Sequence, residues 1–484
     1  MTIHDLPTDR RIGGARLRTV LGVWQRTGPS YVALADALRA AILSGSVPLS
    51  TRLPSERELA VVLDVSRTTS TAAYGLLRDE GYVVSRRGSG TVTTLPDGPG
   101  LRVGLPAPGS GDDLVDLSIA APSAPSSLHA AYLAALDGLP RHLAATGYAP
   151  SGIAALREAI AEWYVRRGTP TTADQILVTT GAQQAIHLLI SAHAGPGDRV
   201  VVEHPTYPHA IEAVRAVGAR PVPVPAGVDG LDLDLLESTL RQSAPRLVYL
   251  IPDHRNPTGT SLSASERERV RALARRHRTM VVGDEVLTEL TIEGPAPVSF
   301  AGDGSASGQV VSIGSASKSF WGGLRVGWVR GHPDLVARLA TIRSHVDMGT
   351  PILEQLVVTH LLTAGDETLS RRRAELRVRR DHLVGLLQER LPQWQVPVPR
   401  GGLALWVDLG TPASSALAAI APRHGVRVAA GPAFAVDGSF ERNLRLPFSE
   451  PPEALERAVD GLALAWDALG TGPITVGAPA RMVV

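Results

Sequence analysis

Between Ile176 and Ile313, short apolar runs of strand length alternate with helical patterns, and this alternation limits the fold more than any other feature of the chain. The runs are Ile176 to Thr179, Arg199 to Glu203, Arg246 to Ile251, Thr279 to Gly283 and Gln309 to Ile313. Such a pattern predicts an α/β domain with a mainly parallel sheet covered on both faces, in which ligands collect where strands end. Polar residues fall at those ends. Gly181-Ala182-Gln183 follows the first run and opens a helix, whose free N–H groups and positive dipole end suit a phosphate. His204-Pro205-Thr206-Tyr207-Pro208 sets Tyr207 on a stiff turn, where it can stack on a ring or simply pack. Arg255-Asn256-Pro257-Thr258-Gly259 aims the Asn256 amide into the same mouth. Asp284 ends the fourth run, and a carboxylate there is costly unless paired. A helix cap and a heterocyclic N–H suit it equally, and Glu285 beside it is acidic too.

After the fifth run comes Ser315-Ala316-Ser317-Lys318, with Arg325 seven positions on. Lys318 is the single lysine; the rest of the 48 basic side chains are arginine. A guanidinium stays protonated, whereas a desolvated amine can lose its proton and attack a carbonyl to form a Schiff base. A composition rich in Ala, Arg, Gly and Pro discourages lysine everywhere, and Ser-x-x-Lys also occurs in penicillin-binding enzymes, so the weight rests on the neighbouring signals.

The N-terminal hundred residues read differently. Residues 1–28 are polar, carry several arginines and show no period, which predicts a mobile arm. Ser30 can cap a helix with Leu34, Leu38 and Ile42 on one face and Gly45 as its stop. Ser55 and Glu58 form a capping box for a short helix through Leu63. Ser66 caps the next, Arg67 to Asp79, with Ala72, Ala73, Leu76 and Leu77 facing inward. Two short helices joined by a tight turn make a helix-turn-helix. Tyr82 to Ser85 and Thr91 to Thr94 flank Arg86-Arg87-Gly88-Ser89-Gly90, a hairpin whose tip can approach a phosphate backbone. From Leu95 to Asp113 the chain is rich in Pro and Gly, which marks a flexible connection.

Net charge is only +1, so nucleic-acid binding has to come from a local surface. With no cysteine, disulfides, thiolate zinc sites and cysteine nucleophiles are excluded, and no metal site is expected. No apolar run approaches a membrane span and no signal-peptide core is present, so a cytoplasmic, nucleoid-associated protein is expected.

The N-terminal stretch resembles the winged helix of GntR-type bacterial regulators, through Leu53-Pro54-Ser55-Glu56-Arg57-Glu58-Leu59-Ala60, Val65-Ser66-Arg67-Thr68-Thr69 and Gly81-Tyr82. That resemblance implies that Arg52, Ser55, Arg57, Ser66, Arg67, Thr68 and Thr69 face double-stranded DNA, with Arg87 and Gly88 in the wing. The second part resembles fold-type I pyridoxal-phosphate enzymes of the aspartate aminotransferase class, through Gly181-Ala182-Gln183, Tyr207, Asn256-Pro257-Thr258-Gly259, Asp284, Ser315, Lys318, Arg325 and Asn443-Leu444-Arg445-Leu446. It implies pyridoxal 5'-phosphate held as an aldimine on Lys318, with Asp284 on the pyridine nitrogen, Asn256 on the ring hydroxyl and Tyr207 on the ring face. Gly181, Ala182, Gln183, Ser315 and Arg325 would hold the phosphate, and Arg445 an amino-acid carboxylate. The family's tyrosine two or three residues after the aspartate is missing, Val286 and Leu287 standing there instead.

The combined layout is similar to the MocR-type regulators, the GabR and PdxR group. It implies a winged helix over 29–95, a linker over 96–114, an aminotransferase-like domain with a smaller C-terminal α/β subdomain over 115–470 and a tail over 471–484. A domain-swapped homodimer that binds promoter DNA and senses the cofactor or an amino compound is then expected. The alternatives are a working aminotransferase carrying a DNA-binding module, and a DNA-binding protein whose second domain only dimerises.

Overall fold

The structure is a computed structural model that describes residues 11–22, 24–25, 29–43, 46–48, 51–86, 90–94, 114–302 and 308–470. Arg87 and Gly88 at the wing tip, Gly45, almost all of the linker and the tail lie outside the described residues.

The expected arm is in part a helix, Gly14–Leu21. Leu17 and Leu21, one turn apart, are buried together with Ile12 and Trp24 against Leu34, Leu38, Leu59 and Leu63. The arginines at 16 and 18 mask this apolar stripe in the sequence because they lie on its outer side. Leu17→Ala should therefore cost about 3 kcal/mol. The check is hydrogen exchange: protection should fall across the helix Ser30–Leu43 while 176–330 stays as in the parent.

The winged helix follows the expected order. Ser55 Oγ accepts from Glu58 N at 3.2 Å, but the Glu58 carboxylate turns to Arg11, 3.6 Å away, so only half of the capping box forms. Ser66 Oγ accepts from Thr69 N at 3.0 Å and caps Arg67–Asp79. The inner face of that helix is Ser70, Ala73, Tyr74 and Leu77, with Ala72 and Leu76 only half-buried. A polar residue is tolerated inside because Ser70 Oγ donates to Glu56 O at 2.8 Å, and Tyr74 likewise reaches Pro54 O at 2.9 Å. The wing is an antiparallel pair, Val83–Arg86 with Gly90–Thr93.

The larger part is an eight-stranded sheet ordered Ile176–Thr179, Gly327–Arg330, Val310–Ser315, Met280–Asp284, Leu247–Leu250, Arg199–His204, Arg220–Gly227 and Gly230–Leu231. The inner strands from Val310–Ser315 through Arg220–Gly227 are parallel, and Gly327–Arg330 runs antiparallel to both neighbours. Alternate residues feed opposite faces. Val200, Val202, Tyr249 and Val282 pack under the helices Ala182–His193 and Pro208–Ala216, while Val201, Val248 and Val281 pack under Leu233–Ser243 and Ala264–His277.

The smaller sheet is ordered Ala404–Asp408, Asn443–Pro447, Val426–Ala430 and Val115–Leu117. Its last strand comes from the other end of the domain, so the subdomain is not C-terminal alone. Parallel pairing of Asp116 with Arg427 is sealed by an ion pair at 2.9 Å. Helices Glu367–Arg390, Ser414–Ile420 and Pro452–Ala468 cover this sheet. Among the described residues no helix is long and apolar enough to cross a membrane, and no group of His, Cys, Asp and Glu could hold a metal ion.

Candidate functional site

The strand ends of the large sheet and one face of the small sheet enclose a cavity of about 330 Å³. Ala182, Gln183, Tyr207, Asn256, Asp284, Ser315, Lys318, Arg325 and Arg445 all line it, residues separated by up to some 260 positions in sequence.

At one end lies the N-terminus of Ala182–His193. Its cap, Gly181, has φ +83°, and a Cβ there would stand 2.8 Å from Arg325 Nη2. The positive φ calls for glycine here, and the Arg325 guanidinium lies against its open face. Arg325 itself donates to Thr180 O at 3.2 Å. Ser315 caps the short helix Ala316–Ser319 through its Oγ, accepting from Ser317 N at 3.1 Å. Gln183 Oε1 is buried with no partner. This end gathers donors and positive charge and suits a phosphate.

Asp284 lines the same cavity. Being the last residue of its strand, it points one way and Glu285 the other. Glu285 is taken up by Phe300 N at 2.5 Å and by Ser299 and Tyr164, so it is an internal anchor. Asp284 accepts from Val286 N at 3.1 Å and from the hydroxyl of Tyr249 at 2.6 Å. Burial pushes its carboxyl up to about 6, against the pull of those two hydrogen bonds. Tyr249 escaped the sequence reading. It sits on a neighbouring strand, and only the register Tyr249 to Val282 brings its ring beside Asp284. Val286 and Leu287 line the cavity with apolar side chains.

Lys318 lines the cavity too, half-buried, with Nζ donating to Ala120 O at 2.7 Å. Burial, then the charges of Arg445 and Arg325, bring its ammonium down to about 8. Asp284 opposes that shift. Arg445, 6% exposed, lies over the Phe434 ring at 5.0 Å and donates through Nη2 to Ser118 O, while its Nε is buried without a partner. Burial lowers it to about 10. Tyr207 immediately precedes the helix Pro208–Ala216, and burial with Asp284 nearby pushes its phenol up to about 12. His254 was also missed: buried beside Asn256, it reaches Thr291 Oγ1 at 2.8 Å and is pushed down to about 4, hence neutral.

In the winged helix, Ser55, Arg57, Ser66, Arg67 and Thr68 are exposed and Thr69 half-exposed, all near the start of a capped helix. Arg52 is half-buried, its guanidinium against Gly90 at the wing.

Residues 112–462 match the family described as aminotransferase class I and II, and residues 30–92 that of bacterial regulatory proteins, gntR family. A 2-aminoadipate transaminase of Thermus thermophilus is 34% identical over 331 residues, 65% of this chain and 82% of the relative. An uncharacterized HTH-type transcriptional regulator of Bacillus subtilis, YisV, is 27% identical over 465 residues, 89% of this chain and 95% of the relative. Among solved structures, LysN, the α-aminoadipate aminotransferase of Thermus thermophilus complexed with N-(5'-phosphopyridoxyl)-L-leucine, matches with a TM-score of 0.69 and 30% identity. It covers 74% of this chain and 94% of that one.

Proposed function

Since the chain belongs to the aminotransferase class I and II family and carries a GntR-family DNA-binding region at its N-terminal end, we propose that it is a transcriptional regulator that senses its cofactor or an amino compound at Lys318. The cofactor is pyridoxal 5'-phosphate, and the cavity suits it: a glycine-capped helix end, a carboxylate enclosed by the fold and an amine of lowered pKa are set along one 330 Å³ space. Bound there, the cofactor supplies an aldehyde that captures amines and a protonated ring that withdraws electrons.

In this reading Gly181, Ala182, Gln183, Ser315 and Arg325 hold the phosphate. Asp284, kept in place by Tyr249 and Val286, accepts from the ring N–H. Asn256 bonds the ring hydroxyl, Tyr207 covers the ring, and Lys318 Nζ is the attachment point. Arg445 takes a ligand carboxylate. Arg67, Thr68 and Thr69 enter a groove of double-stranded DNA from the start of their helix, while Arg52, Ser55, Arg57, Ser66, Arg87 and Gly88 meet the backbone or the groove edge. Exposed Leu133, Leu136, Leu143, Tyr148 and Met348 support a homodimer, because so many large apolar side chains in two adjoining segments call for a partner surface.

The observation that carries the reading is the meeting of Lys318, Asp284 and Arg445 in one cavity of a chain that also bears a winged helix. Its test is DNA affinity of the full chain for its own upstream region, with and without pyridoxal phosphate. The parent should respond to the cofactor and Lys318→Ala should not. An equal response in both would overturn sensing at Lys318. Arg67→Ala should weaken binding by roughly 10–100-fold.

A further inference from the structure

The strand Val115–Leu117 follows the linker in sequence and closes the small sheet against Val426–Ala430. Just beyond it, Ser118 O accepts from Arg445 Nη2 and Ala120 O accepts from Lys318 Nζ at 2.7 Å. One three-residue segment thus partners both cations on which the proposed site depends. Asp116 sets its conformation: Oδ1 accepts from Ser118 N at 2.9 Å and from Ser118 Oγ at 2.5 Å, while Oδ2 accepts from Arg427 at 2.9 Å.

Arg445 retains Nε buried and without a partner beside the Nη2 that Ser118 occupies. A carboxylate binds a guanidinium through two parallel N–H···O bonds, so one that takes the Nε and Nη2 edge contends with the Ser118 carbonyl for Nη2. Lys318 faces the same exchange. When its neutral amine joins an aldehyde carbon, a C–N bond forms, the carbonyl oxygen departs as water with both amine hydrogens, and Ala120 O loses its donor.

We propose that Ser118–Ala120 is a regulatory strap that competes with the cofactor for Lys318 and with a carboxylate-bearing amine for Arg445. Occupation of the two cations frees the strap, and because the linker from the DNA-binding region ends at this strand, its release alters how that region is tethered. The inference rests on the reading of the cavity as the pyridoxal-phosphate site.

The test is hydrogen exchange by mass spectrometry over residues 115–121 of the full chain, with and without pyridoxal phosphate. Intact mass after borohydride reduction is taken on the same samples. Loading should speed exchange over 115–121 by about tenfold, and Asp116→Asn should exchange fast without cofactor. Arg445→Met, with 176–330 protected as in the parent, should also exchange faster, since Ser118 O loses its donor. If Lys318 carries the cofactor and 115–121 exchange at the unloaded rate or more slowly, the strap is refuted while the site reading stands. If no lysine-dependent mass is added, both fall.

Discussion

Borohydride reduction of the chain treated with pyridoxal phosphate is expected to add one cofactor mass to the parent and none to Lys318→Ala. The prediction is sharp because Lys318 is the only lysine in 484 residues, and the substituted chain controls for the N-terminal amine. Its pH dependence follows from the site. The neutral amine is the nucleophile, and Lys318 titrates near 8, lowered by burial and by Arg445 and Arg325. At pH 7 roughly a tenth of it is neutral, so the rate of attachment should rise about tenfold toward alkaline pH and level off above about pH 8. An exposed lysine would go on rising to above pH 10. Equal labelling of parent and Lys318→Ala would place the chemistry elsewhere, and a rate still climbing at pH 10 would contradict the enclosure of the amine.

Asp284→Asn is expected to have opposite consequences with and without cofactor. Without it, the Asp284 carboxyl is held near 6, against 3.8 for the unperturbed group. Between those values the folded chain binds more protons than the unfolded one, so this residue's contribution to stability falls as pH rises from about 4 to 6. A shift of about two units corresponds to about 3 kcal/mol. Asp284→Asn should therefore be more stable than the parent at pH 7 by up to that amount, with the difference vanishing near pH 4. Urea unfolding at both pH values checks it, and a substituted chain no more stable at pH 7 would sink the account. With pyridoxal phosphate the order reverses. In the site assignment proposed above the ring N–H would lose its charged acceptor, and affinity should drop by about a hundredfold.

How much of this was legible in the sequence varies with the range of the interaction. The first and second helices of the helix-turn-helix pair were readable because Ser55 and Ser66 cap them through bonds three residues away. Strand ends at Thr179 and Asp284 were readable too, since apolar runs stop where polar residues begin, whereas Val310–Ser315 continues two residues past the end of its apolar run at Ile313. The inner face of Arg67–Asp79 came out one residue off, because the burial of Ser70 depends on the Glu56 carbonyl in another helix. The helix Gly14–Leu21 was missed because its few apolar residues matter only against the core they complete.

By itself the sequence determined the two-part architecture, the family and the residues available to the cavity. Periodicity, caps and turn chemistry act within a few residues of each other and therefore survive in a linear reading. The tertiary structure alone decided that Tyr249 holds Asp284 and that the chain leaving the linker lies across Lys318 and Arg445. Those pairings depend on the register of strands and segments that are distant in sequence. Register is set by packing against neighbours, so no local pattern encodes it.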